Sequence, residues 1–363
     1  SLEKAHSALL LAQEATLRRL RQHSARLVRR LWFYLALFGP GLITASADND
    51  APGIATYSMA GSTYGYRFLW LILLVTLGEV VVQEMAARMG AVTGKGTADL
   101  IRERFGVRVT TFAMLCLLLA NLGTTIAQFA GIAAAAELLG VSRYITVPLL
   151  ALLVGFVVLR GSYRYVEKVL LVLCLSALSY VVTAFLLRPP SGEIARQAVT
   201  PSFQGGTDFI LAALATIGTT ITPWGIVYIQ ASVADKRVPV EEYRYTRLDV
   251  ISGAVWGNVV SAFIVICTAA TLFVVGMPIE TAEQAALALT PLAGEGARYL
   301  FSVGLLGASL LAASVLPLST TYAVCEAFGW ERGLDRSRKE APVFYGFYVA
   351  MIVIGGLVGL VSS

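Results

Sequence analysis

From Leu31 onward the chain is a succession of apolar stretches, most of them about 20 residues or longer, parted by short polar joints. That is the length at which an α-helix crosses the hydrocarbon core of a bilayer. The stretches cover residues 32–59, 66–88, 109–139, 144–160, 165–187, 207–234, 248–275, 297–328 and 342–361, which predicts nine spans and an all-α, polytopic membrane protein. The first and sixth are interrupted. Span 1 is apolar from Leu31 to Ala47, meets Asp48, Asn49, Asp50, Ala51, Pro52 and Gly53, and resumes at Ile54. Span 6 sets Thr219, Thr220, Ile221, Thr222, Pro223, Trp224 and Gly225 between apolar halves.

Carboxylates and helix-breaking prolines in mid-membrane are costly unless they line a wet cavity or hold an ion. Pro223 alone reads as a kink. Beside the break at Pro52 it reads as one of a pair, and paired broken helices mark a secondary transporter with its site at the bilayer midplane. Unwound backbone frees carbonyls at the C-terminal end of each outer half-helix, where the dipole is negative, and Asp50 adds a full negative charge. The expected centre is therefore a cation site whose ligands are all oxygens: the Asp50 carboxylate, carbonyls near Gly53 and Thr219, and the Thr222 hydroxyl or carbonyl. Such hard ligands suit Mg²⁺, Ca²⁺ or Mn²⁺. Asp48 stands two positions before Asp50, about 200° away around a helix, so it approaches the ion only if the break begins early, and otherwise lines an outer vestibule, as Asn49 does, or pairs with a neighbour. Glu79, Gln83, Glu84 and Glu137 are candidates for an aqueous path, with Glu84 and Glu137 equally suited to the interface.

Charge sets the topology. All but five of the 28 Lys and Arg residues fall on one side of the predicted spans, the exceptions being Arg67, Arg143, Arg188, Arg196 and Arg298. By the positive-inside rule that side, with the N-terminus, is cytoplasmic, and the expected location is the cell membrane. The net charge of +5 then needs no nucleic acid to explain it. Residues 1–30 form a separate segment in which Leu9, Leu10, Leu17, Leu20, Leu27 and Val28 recur among Arg18, Arg19, Arg21, Arg26, Arg29 and Arg30. This predicts a basic amphipathic helix, either lying on an anionic membrane surface or serving as a solvated lead-in. The transporter domain is residues 31–363.

Composition narrows the chemistry. With 57% hydrophobic and 14% charged residues, the chain cannot cover a water-facing surface, which excludes a soluble enzyme and a disordered chain. The two histidines, His6 and His23, precede the first span, and Cys116, Cys174, Cys267 and Cys325 each sit singly in an apolar run, read as ordinary buried small residues. No nucleophile and base pair for an intramembrane enzyme stands out, and no cofactor is expected.

Three segments resemble the Nramp divalent-metal transporters: Gly39-Pro40 through Asp50 to Thr56, the run Arg88-Met89-Gly90-Ala91-Val92-Thr93-Gly94-Lys95, and Ile217-Gly218 leading into Thr222-Pro223-Trp224. The resemblance implies a LeuT-type fold of two inverted five-helix repeats and import of a divalent cation by alternating access. Such a repeat calls for a tenth helix, and nine are read here. Against the family's helix-1 Asp-Pro-Gly-Asn, Asp50 matches the aspartate and Gly53 falls on the asparagine. Against its helix-6 Met-Pro-His, Thr222 falls on the methionine and Trp224 on the histidine. The acidic pair of helix 3 falls on Thr125 and Gln128. This pattern is similar to the Nramp-related magnesium transporters. It makes Trp224 and Gly225 expected walls of the site and Gln128, with Asp48 and Asn49, a candidate for the vestibule.

Mg²⁺ dehydrates reluctantly and keeps several waters, so its site should be wider and offer fewer direct ligands. The leading expectation is a carrier of Mg²⁺, with Mn²⁺ a second cargo, driven by membrane potential without proton coupling. Its rivals are a proton-coupled Mn²⁺ or Fe²⁺ importer, a sodium-coupled organic-solute carrier, and a metal sensor or scaffold that carries nothing. The expected partners are the divalent ion, as substrate, and the lipid bilayer.

Overall fold

The computed structural model describes residues 39–160, 162–203, 206–237 and 240–361, without the side chains of 288–293. The amphipathic helix expected over residues 1–30 and the opening of span 1 lie outside the described residues. Among the described residues every regular element is helical. The elements are α1 (Pro40–Ala47), α2 (Ala51–Tyr64), α3 (Leu69–Thr93), α4 (Thr97–Leu138), α5 (Arg143–Arg160), α6 (Tyr163–Leu173) and α7 (Leu178–Leu187). After these come α8 (Ser191–Val199), α9 (Thr207–Thr220), α10 (Pro223–Asp235), α11 (Tyr243–Thr268), α12 (Ala282–Ala293), α13 (Glu295–Phe328) and α14 (Pro342–Val361).

Eight helical stretches among the described residues are long and apolar enough to cross a membrane. The sequence reading predicts nine; here α2 and α3 run together through a 3₁₀ turn at Gly65–Phe68 and count as one stretch. The reading also passes over the short helices α8 and α12, which are too short to span. α4 continues across a kink at Gly106, whose φ of +79° is open to glycine without strain.

α13 is the axis of the bundle: 72% of its most apolar 18-residue stretch is buried, against 22% for the peripheral α5. It packs along α4 and against α10, α12 and α14, while α11 packs on α1, α2 and α3. The α1–α11 seam depends on small residues. A Cβ on Gly41 would lie 2.6 Å from the Val250 backbone, and one on Gly253 2.5 Å from that of Gly41, so the two helices approach nearly backbone to backbone. Asp249 of α11 accepts the N–H groups of Gly41 (2.9 Å) and Leu42 (3.3 Å), which satisfies donors that the first turn of α1 leaves unpaired. Leu77, Phe112, Leu119 and Leu152 point outward, as a surface bathed in hydrocarbon requires. Cys116 joins that outer surface, contrary to its expected burial; Cys174, Cys267 and Cys325 are buried, and all four are free thiols.

Candidate metal centre

Both interrupted spans break where the sequence breaks, and their second halves begin alike. At the first break Asp50 has extended backbone and is the N-cap of α2: its carboxylate accepts the Gly53 N–H at 2.8 Å, with Pro52 in the first turn. At the second, Thr222 is the N-cap of α10: its hydroxyl accepts the Gly225 N–H at 3.3 Å, with Pro223 in the first turn. Proline is tolerated there because its missing N–H belongs to a position without a helical acceptor. Pro52 and Pro223 thus start the second half of each interrupted span, and the unwound residues are Asp48, Asn49 and Asp50 at the first break and Ile221 and Thr222 at the second.

Side chains lock the breaks together. The second Asp50 oxygen accepts the Gln128 amide at 2.7 Å, and the Gln128 carbonyl accepts the Ala51 N–H at 3.0 Å, tying α4 to the break from both ends of one carboxamide. Thr222 donates to Asp48 Oδ1 at 2.9 Å and so bridges the two breaks. Tyr57 of α2 meets Thr220 of α9 at 2.8 Å; since Thr220 donates to the Thr216 carbonyl, the tyrosine is the donor. Thr219 also borders this space, because a Cβ on Gly53 would lie 3.4 Å from its hydroxyl, 3.0 Å from Asp50 Oδ1 and 2.7 Å from the Asp48 carbonyl. Asp50, Gly53, Thr219 and Thr222 therefore converge on one region, and Gly225 closes one side, its α-carbon facing the Thr222 hydroxyl, Thr44 and Asp48.

Asp48, Asn49 and Gln128, the possible vestibule residues, are all buried within the bundle. Asp48 bridges to Thr222. Asn49 donates to the Gly257 carbonyl at 2.9 Å and accepts from Ser261 at 2.8 Å, so it clamps the end of α1 to α11. Gln128 is the direct partner of Asp50. Trp224 packs into the largest apolar cluster, with Ile43, Ala47 and Tyr228, and its carbonyl accepts from Ser319 at 2.7 Å. Thr125 is buried and donates to its own helix. Glu84 accepts from Tyr243 and faces Arg88 and Arg247, while Glu137 pairs with Arg143 at the surface.

Sequence reasoning missed two arrangements. Glu79 of α3 is buried, accepting from Gln83 at 2.5 Å and from Asn258 of α11, and Gln83 also reaches Asp48 at 3.5 Å. The polar Asn258 in an otherwise apolar span was the available signal. At the end where α3 turns into α4, Arg332 contacts Asp99 at 2.5 Å and the buried Glu326 at 3.7 Å, and Glu326 accepts the Ala98 N–H at 3.2 Å. Gln230 of α10 accepts from Thr97 at 2.8 Å and donates to the Lys95 carbonyl at 3.0 Å. The Arg88–Lys95 motif and the turn after it are thereby fastened to α10 and α13.

Among the described residues no three His, Cys, Asp or Glu side chains gather as a metal cage. What converges at the breaks is the Asp50 carboxylate, with that of Asp48 beside it across the Thr222 hydroxyl, among hydroxyl and carbonyl oxygens between the ends of four half-helices, an all-oxygen, hard environment.

Two broken helices crossing inside a multi-span bundle define a transporter of the LeuT type, built of inverted repeats. Residues 41–363 match the model described as natural resistance-associated macrophage protein-like, and the chain belongs to this Nramp family. Among its relatives, the divalent metal cation transporter MntH of Chromohalobacter salexigens is 30% identical over 304 residues, 80% of this chain and 70% of that protein. MntH of Bacillus subtilis is 28% identical over 296 residues, 78% of this chain and 69% of that one. A mutant of the Eremococcus coleocola manganese transporter superposes with a TM-score of 0.71 at 22% identity, covering 89% of this chain and 70% of that one. The nucleobase-cation-symport-1 family transporter MHP1, in a closed conformation, superposes at 0.59 with 16% identity, covering 90% and 71%. At these identities the structural likeness establishes the fold.

Proposed function

We propose that the protein imports a divalent cation by alternating access, with Mg²⁺ the main cargo and Mn²⁺ a second, drawn inward by the membrane potential. The observation that carries this reading is the Asp50 carboxylate set among the oxygens of Thr219 and Thr222, with Gly53 and Thr222 in place of a second amide and a thioether. Without a soft ligand the site has no preference for transition metals, and its few direct ligands suit an ion that keeps part of its water. The relatives named as divalent metal cation transporters support the broader class. Thr125 and Gln128 carry no proton to exchange, and no coupling is required. A divalent ion gains roughly 4.6 kcal/mol per 100 mV, about 2.3 per charge, or about three decades of concentration ratio. In this reading the Arg332 network lies on the cytoplasmic side.

A second reading, a proton-coupled Mn²⁺ importer, is favoured by the likeness to manganese transporters. One experiment separates the two: flux of Mg²⁺, Mn²⁺ and Ca²⁺ into liposomes holding the pure protein, with a pH dye inside. Mg²⁺ uptake that follows an imposed potential without moving protons supports the first reading, and acidification in step with metal entry overturns it. Asp50→Ala should abolish uptake in a protein that remains folded and monodisperse; wild-type flux in that variant removes the proposed site.

A further inference from the structure

A second group of buried polar side chains stands beside the first, between α1, α3 and α11. Asp48, Glu79, Gln83 and Asn258 are each at least nine-tenths buried. Gln83 Nε2 lies 2.5 Å from Glu79 Oε1 and 3.5 Å from Asp48 Oδ2, and the Asn258 amide donates to Glu79 Oε2. Both amide nitrogens are thus turned onto carboxylates. The two amide oxygens, Gln83 Oε1 and Asn258 Oδ1, are buried without any hydrogen-bond partner.

That distribution is lopsided. Two carboxyl groups and two amide carbonyls offer acceptors in excess; against them stand the two amides, the Thr222 hydroxyl and one proton shared between Asp48 and Glu79, and none of these reaches the two amide oxygens. None of the ion pairs among the described residues involves Asp48, Asp50 or Glu79. The carboxyl groups nearest Asp48 are those of Glu79, with which it shares a hydrogen bond, and Asp50. A buried oxygen without a donor costs about 1–3 kcal/mol, and more where the group is charged. An aggregate of this kind is stable when a cation supplies what the protein withholds.

We propose that Asp48, Glu79, Gln83 and Asn258 form a second divalent-cation site, next to the one at Asp50 and distinct from it. Two carboxylates ask for two positive charges, which one divalent ion provides, and every ligand is a hard oxygen. Such ions hold oxygens at about 2.0–2.6 Å, so two ligands across the ion stand roughly 4–5 Å apart. That separation is open to two carboxylate oxygens that share one amide nitrogen at 2.5 and 3.5 Å. Asp48 links the stations: one oxygen faces Gln83, the other takes the hydroxyl of Thr222, the cap of α10. The second site is therefore a staging post from which the cargo passes to Asp50. Its role in transport rests on the function proposed above; its existence as a binding site does not.

The test counts Mn²⁺ bound to the purified full chain in detergent by equilibrium dialysis, and locates it in the wild type by anomalous scattering from crystals soaked in Mn²⁺. The expected result is two equivalents in the wild type, with separate peaks at Asp50 and between Asp48 and Glu79. Glu79→Gln and Asp50→Ala should each keep one equivalent, at the other position. A wild type with a single peak at Asp50, or Glu79→Gln with undiminished stoichiometry, overturns the second site. Because the anomalous map uses the unmodified chain, the proposal stays testable if Glu79→Gln fails to fold. Ion at Glu79 with none at Asp50 would sink the transport reading and leave the second site standing.

Discussion

Gln128 gives the most discriminating single perturbation, because it separates a residue that holds Asp50 from one that holds the ion. Gln128→Met keeps the length and approximate shape of the side chain and removes both of its bonds, the 2.7 Å donation to Asp50 and the 3.0 Å acceptance from Ala51. Without cargo, the variant loses a hydrogen bond to a charged group, about 1.5–3 kcal/mol, and leaves the Ala51 N–H unpaired at about 1–3 kcal/mol. The ion-free protein should therefore unfold at clearly lower temperature. A cation on Asp50 draws charge from the carboxylate and weakens the Gln128 bond toward a neutral one, roughly half as strong. The wild type thus surrenders about 1 kcal/mol on binding that the variant has already lost, so the variant should bind Mn²⁺ or Mg²⁺ roughly fivefold more tightly. Calorimetric titration of the purified protein beside its thermal unfolding measures both quantities. Affinity that falls severalfold makes Gln128 an ion ligand, and unchanged affinity means the ion does not compete for Asp50; either refutes the reasoning.

The pair Gly53→Asn with Thr222→Met should shift the liposome flux ratio from Mg²⁺ toward Mn²⁺, with a loss of thermal stability. The new Cβ at position 53 falls 2.7 Å from the Asp48 carbonyl, so backbone has to move, and a ratio that stays or rises in a folded protein removes these positions from selectivity. Arg332→Met leaves the buried Glu326 and the nearby Asp99 without their shared cation, for a loss of about 3 kcal/mol. Adding Glu326→Gln should recover more than half of it, and strict additivity in that double-mutant cycle would show the two groups to be independent.

The spans were legible because hydrocarbon imposes length and composition on any helix that crosses it, and the breaks because Asp50 and Pro52, or Thr222 and Pro223, contradict that rule so sharply. The partners of those residues were not legible. Nothing in local sequence says that Gln128 turns its amide onto Asp50, or that Asn49 spends its carboxamide on Gly257 and Ser261 rather than on a water-filled entrance. Those contacts join residues 78 or more positions apart, and only the packing of α4 and α11 on the break brings them together. Trp224 shows the converse. From sequence it reads either as a wall of the site or as a packing residue, and α10 starts one residue before it, with its ring in the apolar cluster beside Ile43 and Ala47 of α1.

The twin caps connect binding to motion. Asp50 and Thr222 each hold the first turn of the helix after a break through one side-chain oxygen, a contact worth about 1 kcal/mol in either helix. A cation that draws on those same oxygens competes with the Gly53 and Gly225 N–H groups for them. Binding therefore weakens the capped geometry of α2 and α10 at the moment it supplies charge to the unwound backbone between them. A ligand shifts a conformational equilibrium only by its difference in affinity for the two states. In the proposed reading that difference arises at Asp50 and Thr222, which start α2 and α10, so an ion held at the break acts directly on the hinge.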